Sequence, residues 1–149
     1  MSRATSQMRS SAKHLIAYEA RRNKSSETKA PAVFRVTDKL RPHLAMLMGN
    51  GGFRALLARA LTLANEEVQW LRAVHVKADG TLEGLEELHA QLAPAEFLEG
   101  DVAVLAQLLG LLVAFIGPDL TSRLVGEIWP RFPLDVMYLG NGVDNEKTE

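Results

Sequence analysis

From Val102 to Ile116 the chain carries no charged side chain, and Asp101 and Asp119 flank the run. A helix this uniformly apolar has no polar face to offer water, so other elements or lipid must enclose it. Spanning a bilayer takes about 20 apolar residues. This run is shorter, is interrupted by Gln107 and Gly110, and is closed by Gly117-Pro118. It therefore reads as the core helix of a water-soluble body, with no transmembrane segment. Asp101 is placed to cap its start, and Gly100 to end a short turn over 95–99.

Such a helix needs neighbours, and a 3.6-residue period supplies them. Val36, Leu40, Leu44, Leu47 and Met48 fall on one face, with Pro42 tolerated near the first turn. Phe53, Leu56, Leu57, Ala60, Leu61 and Ala64 make the cleanest stripe, and Gly49-Asn50-Gly51-Gly52 reads as a tight connection between two antiparallel helices. Leu82, Leu85, Leu88 and Leu92 form a further stripe closed by Pro94. Leu120, Leu124, Val125, Ile128 and Trp129 form the last, which Pro130 stops. Between them, Val74-His75-Val76 alternates like a strand before Ala78-Asp79-Gly80, but a lone hairpin is marginal in water. Helix to about Ala73, then irregular chain, is the expectation there.

The fold class that follows is all-α: a single compact bundle of five or six helices around a central apolar helix, occupying residues 33–130. Residues 1–32 are expected to form a basic, largely disordered arm, with a short helix from Ser10 or Ser11 to about Arg22. Residues 131–149, with Pro133 near their start and Asp144 to Glu149 at their end, are expected to be a loose tail. No internal repeat is visible.

Charge is unevenly distributed along this frame. Residues 1–41 hold ten Lys and Arg against three acids, a balance of +7, while residues 42–149 hold seven against fifteen, a balance of −8. A basic arm on an acidic body points to an anionic partner or to the body itself. Arg9, Lys13, Arg21, Arg22 and Lys24 are the candidate anion or nucleic-acid contacts. Only Tyr18 and Phe34 interleave with these cations, so any such binding would be directed at the phosphate backbone and sensitive to salt.

Candidate chemistry is sparse. With no cysteine, the chain holds no disulfide, thiolate metal site or cysteine nucleophile, which suits a reducing compartment. The Gly49–Gly52 run lacks the Gly-Lys-Ser/Thr ending of a phosphate-binding loop. Glu86 and His89 have the Glu-x-x-His spacing of bundle di-iron sites, but no second such pair accompanies them. His43 reads as a partly buried histidine beside Pro42. Trp70 and Trp129 read as core anchors. No Gly-x-Ser-x-Gly occurs, and the serines cluster near the N-terminus. No secretory h-region is visible; the acid-free, Arg- and Ser-containing residues 1–18 share a transit-peptide composition but are read as a solvated arm.

The functional expectation is a non-catalytic helical interaction or regulatory protein of the cytoplasm, with no cofactor or metal, acting on a protein partner or on itself. The alternative is nucleic-acid binding through the basic arm.

Overall fold

A computed structural model describes residues 6–22 and 32–133. The protein is all-α with little sheet. The α-helices are α1 (Ser6–Arg22), α2 (Ala32–Asn65), α3 (Leu85–Gln91), α4 (Pro94–Ile116) and α5 (Pro118–Ile128); a 3₁₀ turn (Gln69–Ala73) and two short strands, β1 (His75–Val76) and β2 (Leu82–Glu83), lie between α2 and α3.

The apolar run lies in α4, which packs against α1, α2, α3 and α5. Eight consecutive residues, Ala103 to Gly110, are buried, so this part of α4 is enclosed on all sides. The helix starts earlier than the sequence implies. Pro94 opens it at the first helical position, where a missing N–H costs nothing. The Glu96 carboxylate accepts the Ala93 N–H at 3.3 Å. Gly100 and Asp101 are thus neither stop nor cap: both are interior helical residues, and both are buried.

The N-terminal region is not an arm over its described part. α1 is a full helix of 17 residues. Met8, Ala12, Leu15, Ile16 and Glu19 recur at helical spacing and are all buried, and α1 packs on both α2 and α4. Apolar stripe and helix coincide, so the segment gains burial that a charge count does not register. Residues 1–5 and 23–31 of the expected arm, and 134–149 of the expected tail, lie outside the described residues. Within the tail, Phe132 is buried and meets Tyr18 edge-on, with ring centroids 5.3 Å apart.

The expected two helices of residues 36–64 do form, within α2, and meet at a kink of a single non-helical residue. Gly49, at φ 80° and ψ 163°, breaks α2 by itself, and helical structure resumes at Asn50. This is backbone that essentially only glycine occupies. Gly117, at φ 91° and ψ 160°, makes the corner between α4 and α5 in the same way.

The hairpin set aside on sequence grounds does form. β1 and β2 pair antiparallel, His75 opposite Glu83 and Val76 opposite Leu82. Asp79 holds the turn by accepting the Thr81 N–H at 3.0 Å and the Thr81 hydroxyl at 2.6 Å. Val74 and Leu82 are buried in the core and β1 packs on α2, which is what a hairpin alone in water would lack. Leu82 consequently belongs to the hairpin, and α3 starts only at Leu85.

Trp70 lies over α4 where Gly100 has no side chain, stacked on Phe97 at 5.4 Å and donating its indole N–H to the Glu96 carbonyl. A Cβ at Gly100 would lie 2.2 Å from Trp70 Cζ2 and 2.7 Å from Cη2. Helix propensity alone makes Gly→Ala stabilising inside a helix. Here the opposite sign is expected: Gly100→Ala displaces the indole and costs about 1–3 kcal/mol. Urea unfolding with Trp fluorescence checks both the loss and the change at Trp70.

Candidate functional site

Among the described residues, three groupings stand out from the ordinary apolar core: a buried carboxylate knot, a lone buried acid and an apolar face.

The knot forms where α1, α2 and the end of α5 meet. Glu19, near the end of α1, has no exposed surface. Lys39 Nζ donates to its two oxygens at 2.8 and 2.9 Å, and Trp129 Nε1 donates to Oε2 at 2.8 Å. Arg35 Nε lies 3.9 Å away on the same side of α2. Burial pushes the carboxyl pKa up. The hydrogen bonds from Lys39 and Trp129, with the charges of Lys39 and Arg35, outweigh it and hold the group below its usual 4.5. Trp129 is thus an anchor with a polar handle. Its role as a core residue was legible, but its partner was not.

A second polar link crosses from α1 to α4. Gln107, the one amide in the apolar run, donates to Glu67 Oε2 at 2.6 Å, and Arg9 pairs with the other oxygen of that carboxylate. The candidate anion contacts therefore part company. Arg9 is engaged by Glu67, while Lys13 and Arg21 are exposed on α1. The side chain of Arg22 and the whole of Lys24 lie outside the described residues. So do the side chains of Glu86 and His89.

Asp101 is the lone acid. It is 4% exposed, and its Oδ1 has no hydrogen-bond partner. Burial raises its pKa from 3.8 to about 8. Burial favours its protonated form, at a position where the sequence suggests an exposed cap.

The face spans one end of the body, where the Gly49 and Gly117 breaks lie. Met46 is 88% exposed, Phe115 63%, Leu47 53% and Leu120 40%. A hollow of about 210 Å³ runs between α2 and α5, with His43 to Leu47 on one wall and Leu120 to Glu127 on the other. A second, of about 350 Å³, lies between Met48, Leu56 and Arg59 of α2 and Phe115 of α4. His43 Nδ1 turns back to the Lys39 carbonyl at 3.3 Å, and the residue is half-buried, as its sequence context implies. Between Asp38 and Glu66, α2 bears Lys39, Arg41, Arg54 and Arg59 and no acid. Among the described residues, Glu127 is the one carboxylate lining either hollow; Arg59 and Arg123 line them too. The face is thus apolar with a slight cationic bias, on a described body whose thirteen Lys and Arg balance thirteen Asp and Glu.

Sequence periodicity did not reveal this face. Leu47 and Leu120 belong to stripes read as core, and Phe115 to a helix read as enclosed throughout. Comparison with known proteins finds no matching family model, no matching curated protein and no matching solved structure.

Both acids make stability depend on pH, with opposite signs. Glu19, lowered in the folded state, contributes stability that is complete above pH 4.5 and lost as pH falls through its folded pKa. Glu19→Gln should cost about 2–4 kcal/mol at neutral pH, because donors remain buried around a weaker acceptor. Its deficit should narrow in acid. Asp101, raised in the folded state, contributes stability only while protonated, so stability falls as pH climbs from 3.8 to about 8. Asp101→Asn should remove that slope, its advantage over the parent widening by up to about 1.4 kcal/mol per pH unit. Urea titrations of parent and both variants between acid and mildly alkaline pH check all three statements.

Proposed function

We propose that this chain is a non-catalytic interaction or regulatory protein whose working surface is the apolar face at the Gly49–Gly117 end. The observation that carries the reading is the exposure of Met46, Leu47, Phe115 and Leu120 together, beside two hollows whose lining includes Arg59 and Arg123. Scattered exposed apolar residues are ordinary, whereas a clustered patch rimmed by polar groups is characteristic of binding surfaces. The groove between α2 and α5 suits an amphipathic segment laid along it. The cationic bias of the rim suits a segment with acids flanking its apolar residues. On this reading α4 is the central helix of a soluble bundle. α4 is long and apolar enough to cross a membrane, but its burial between α1 and α2 favours the core assignment. A cysteine-free chain of this kind suits the cytoplasm.

The alternative, nucleic-acid binding through α1, rests on the exposed Lys13 and Arg21. The pairing of Arg9 with Glu67 takes one cation out of that set. It predicts binding to a DNA duplex that weakens steeply with salt and falls when Lys13 and Arg21 are both made Glu.

The primary reading is tested with two synthetic amphipathic helical peptides, both leucine-faced, one with glutamate and one with lysine on the polar face. The glutamate peptide should bind the full chain at least about tenfold tighter, a difference of about 1.4 kcal/mol. Leu47→Asp should abolish that binding, and Arg59→Glu with Arg123→Glu should reverse the preference. Equal affinity for both peptides, or binding indifferent to Leu47→Asp, overturns the reading.

A further inference from the structure

Taking the face as a binding surface, we infer that its partner is a second copy of this chain, bound through the same face in a two-fold pair. Charge, shape and the extent of the face each favour that occupant.

The hollow between α2 and α5 holds one charge of each sign. Arg123 and Glu127 both line it, one helical turn apart on α5, and both are exposed. Among the described residues, neither has an ion-pair partner. A partner of a single sign leaves one of them unmatched, whereas a surface bearing the same two groups in reverse order matches both. A two-fold interface supplies that surface, because each contact from one residue to another is made a second time with the copies exchanged. When two α5 helices lie antiparallel across the axis, centred between positions 123 and 127, Arg123 of each copy meets Glu127 of the other. Asp119, exposed at the start of α5, gives this helix a second acid. α5 is thus itself an amphipathic segment with acids flanking its apolar residues, the kind that suits the face.

Shape agrees with charge. Protruding apolar side chains and hollows share the one face, so each copy carries both what fills a hollow and a hollow to be filled. Met46 and Met48, unbranched and flexible, adapt to such a fit. Extent sets the strength of the pair. Among the described residues, seven line one hollow and six others the second, against about 20–30 a side in a standard stable interface. Two copies joined this way part and rejoin with concentration. The pair keeps the apolar face from water and yields to a partner that binds more tightly, so self-association competes with whatever else the face takes.

Sedimentation equilibrium on the full chain reads the outcome. From about 1 to 500 μM the mass should climb from one chain toward two and stop there, as closed two-fold pairing requires. Leu47→Asp should hold it at one. Arg123→Glu and Glu127→Arg, each alone, should weaken pairing at least about tenfold, because each sets like charges opposite one another twice. Equal amounts of the two variants, mixed, should recover pairing. In the mixed pair the substituted positions face each other with opposite charge, and the native ones still do. A mixture no tighter than its parts overturns the inference, as does growth beyond two chains or a dimer that survives Leu47→Asp. A chain that stays monomeric at every concentration yet binds the glutamate peptide refutes the second copy and leaves the surface reading intact. A monomer that binds neither peptide refutes both.

Discussion

A carboxylate with no exposed surface is tolerable only when donors converge on it, and Glu19 sets the terms for everything around it. Lys39 reaches it from α2 and Trp129 from the end of α5, a residue 110 positions later in the chain. Satisfying one buried oxygen pair therefore fixes the relation of first helix, second helix and C-terminal turn together. Lys39 keeps part of its side chain in solvent, so the pair is screened on one side and locked on the other. The knot contributes more to choosing one arrangement than to raw stability, since apolar groups of similar volume fill such a space at less cost.

That arrangement is what encloses α4. Ala103 to Gly110 have no exposed side, and one of the walls around them is α1. Leu15 and Ile16 lie on the buried face of the helix that Glu19 clamps. Gln107 completes the attachment through Glu67, to which Arg9 is also bound. The polar groups that looked like interruptions in an apolar helix and like free cations on an arm are the two ends of one link. Charge that appears segregated along the chain is partly folded against itself.

This explains which parts of the structure were legible in the sequence. The apolar run of α4 and the stripes of α2 were, because each is dominated by large side chains at regular spacing. α1 was not: its buried face runs Met8, Ala12, Leu15, Ile16, Glu19, where a small residue and an acid occupy positions that a hydrophobic count passes over. Pro94 and Gly100 carry local preferences for ending a helix, yet one opens α4 and the other admits Trp70 to its side. The hairpin depended on Val74 and Leu82 finding the core, a non-local fact. The candidate site was the least legible. Periodicity shows that Leu47 and Leu120 lie on an apolar face of their helices but not where the covering neighbour stops, and both lie beyond that edge.

The edge itself is built, not left over. Gly49 and Gly117 sit in backbone conformations that other residues adopt only with strain, and they flank the same face. Continued helix at either position would carry Met46 to Met48 or Phe115 to Leu120 in other directions. The breaks instead hold two apolar segments side by side at the end of a body whose remaining core is closed. Side chains fixed in this way lose little further freedom on binding, which is the advantage a preorganised surface has over a flexible one. An apolar face of this kind, left open to water, also invites unselective association.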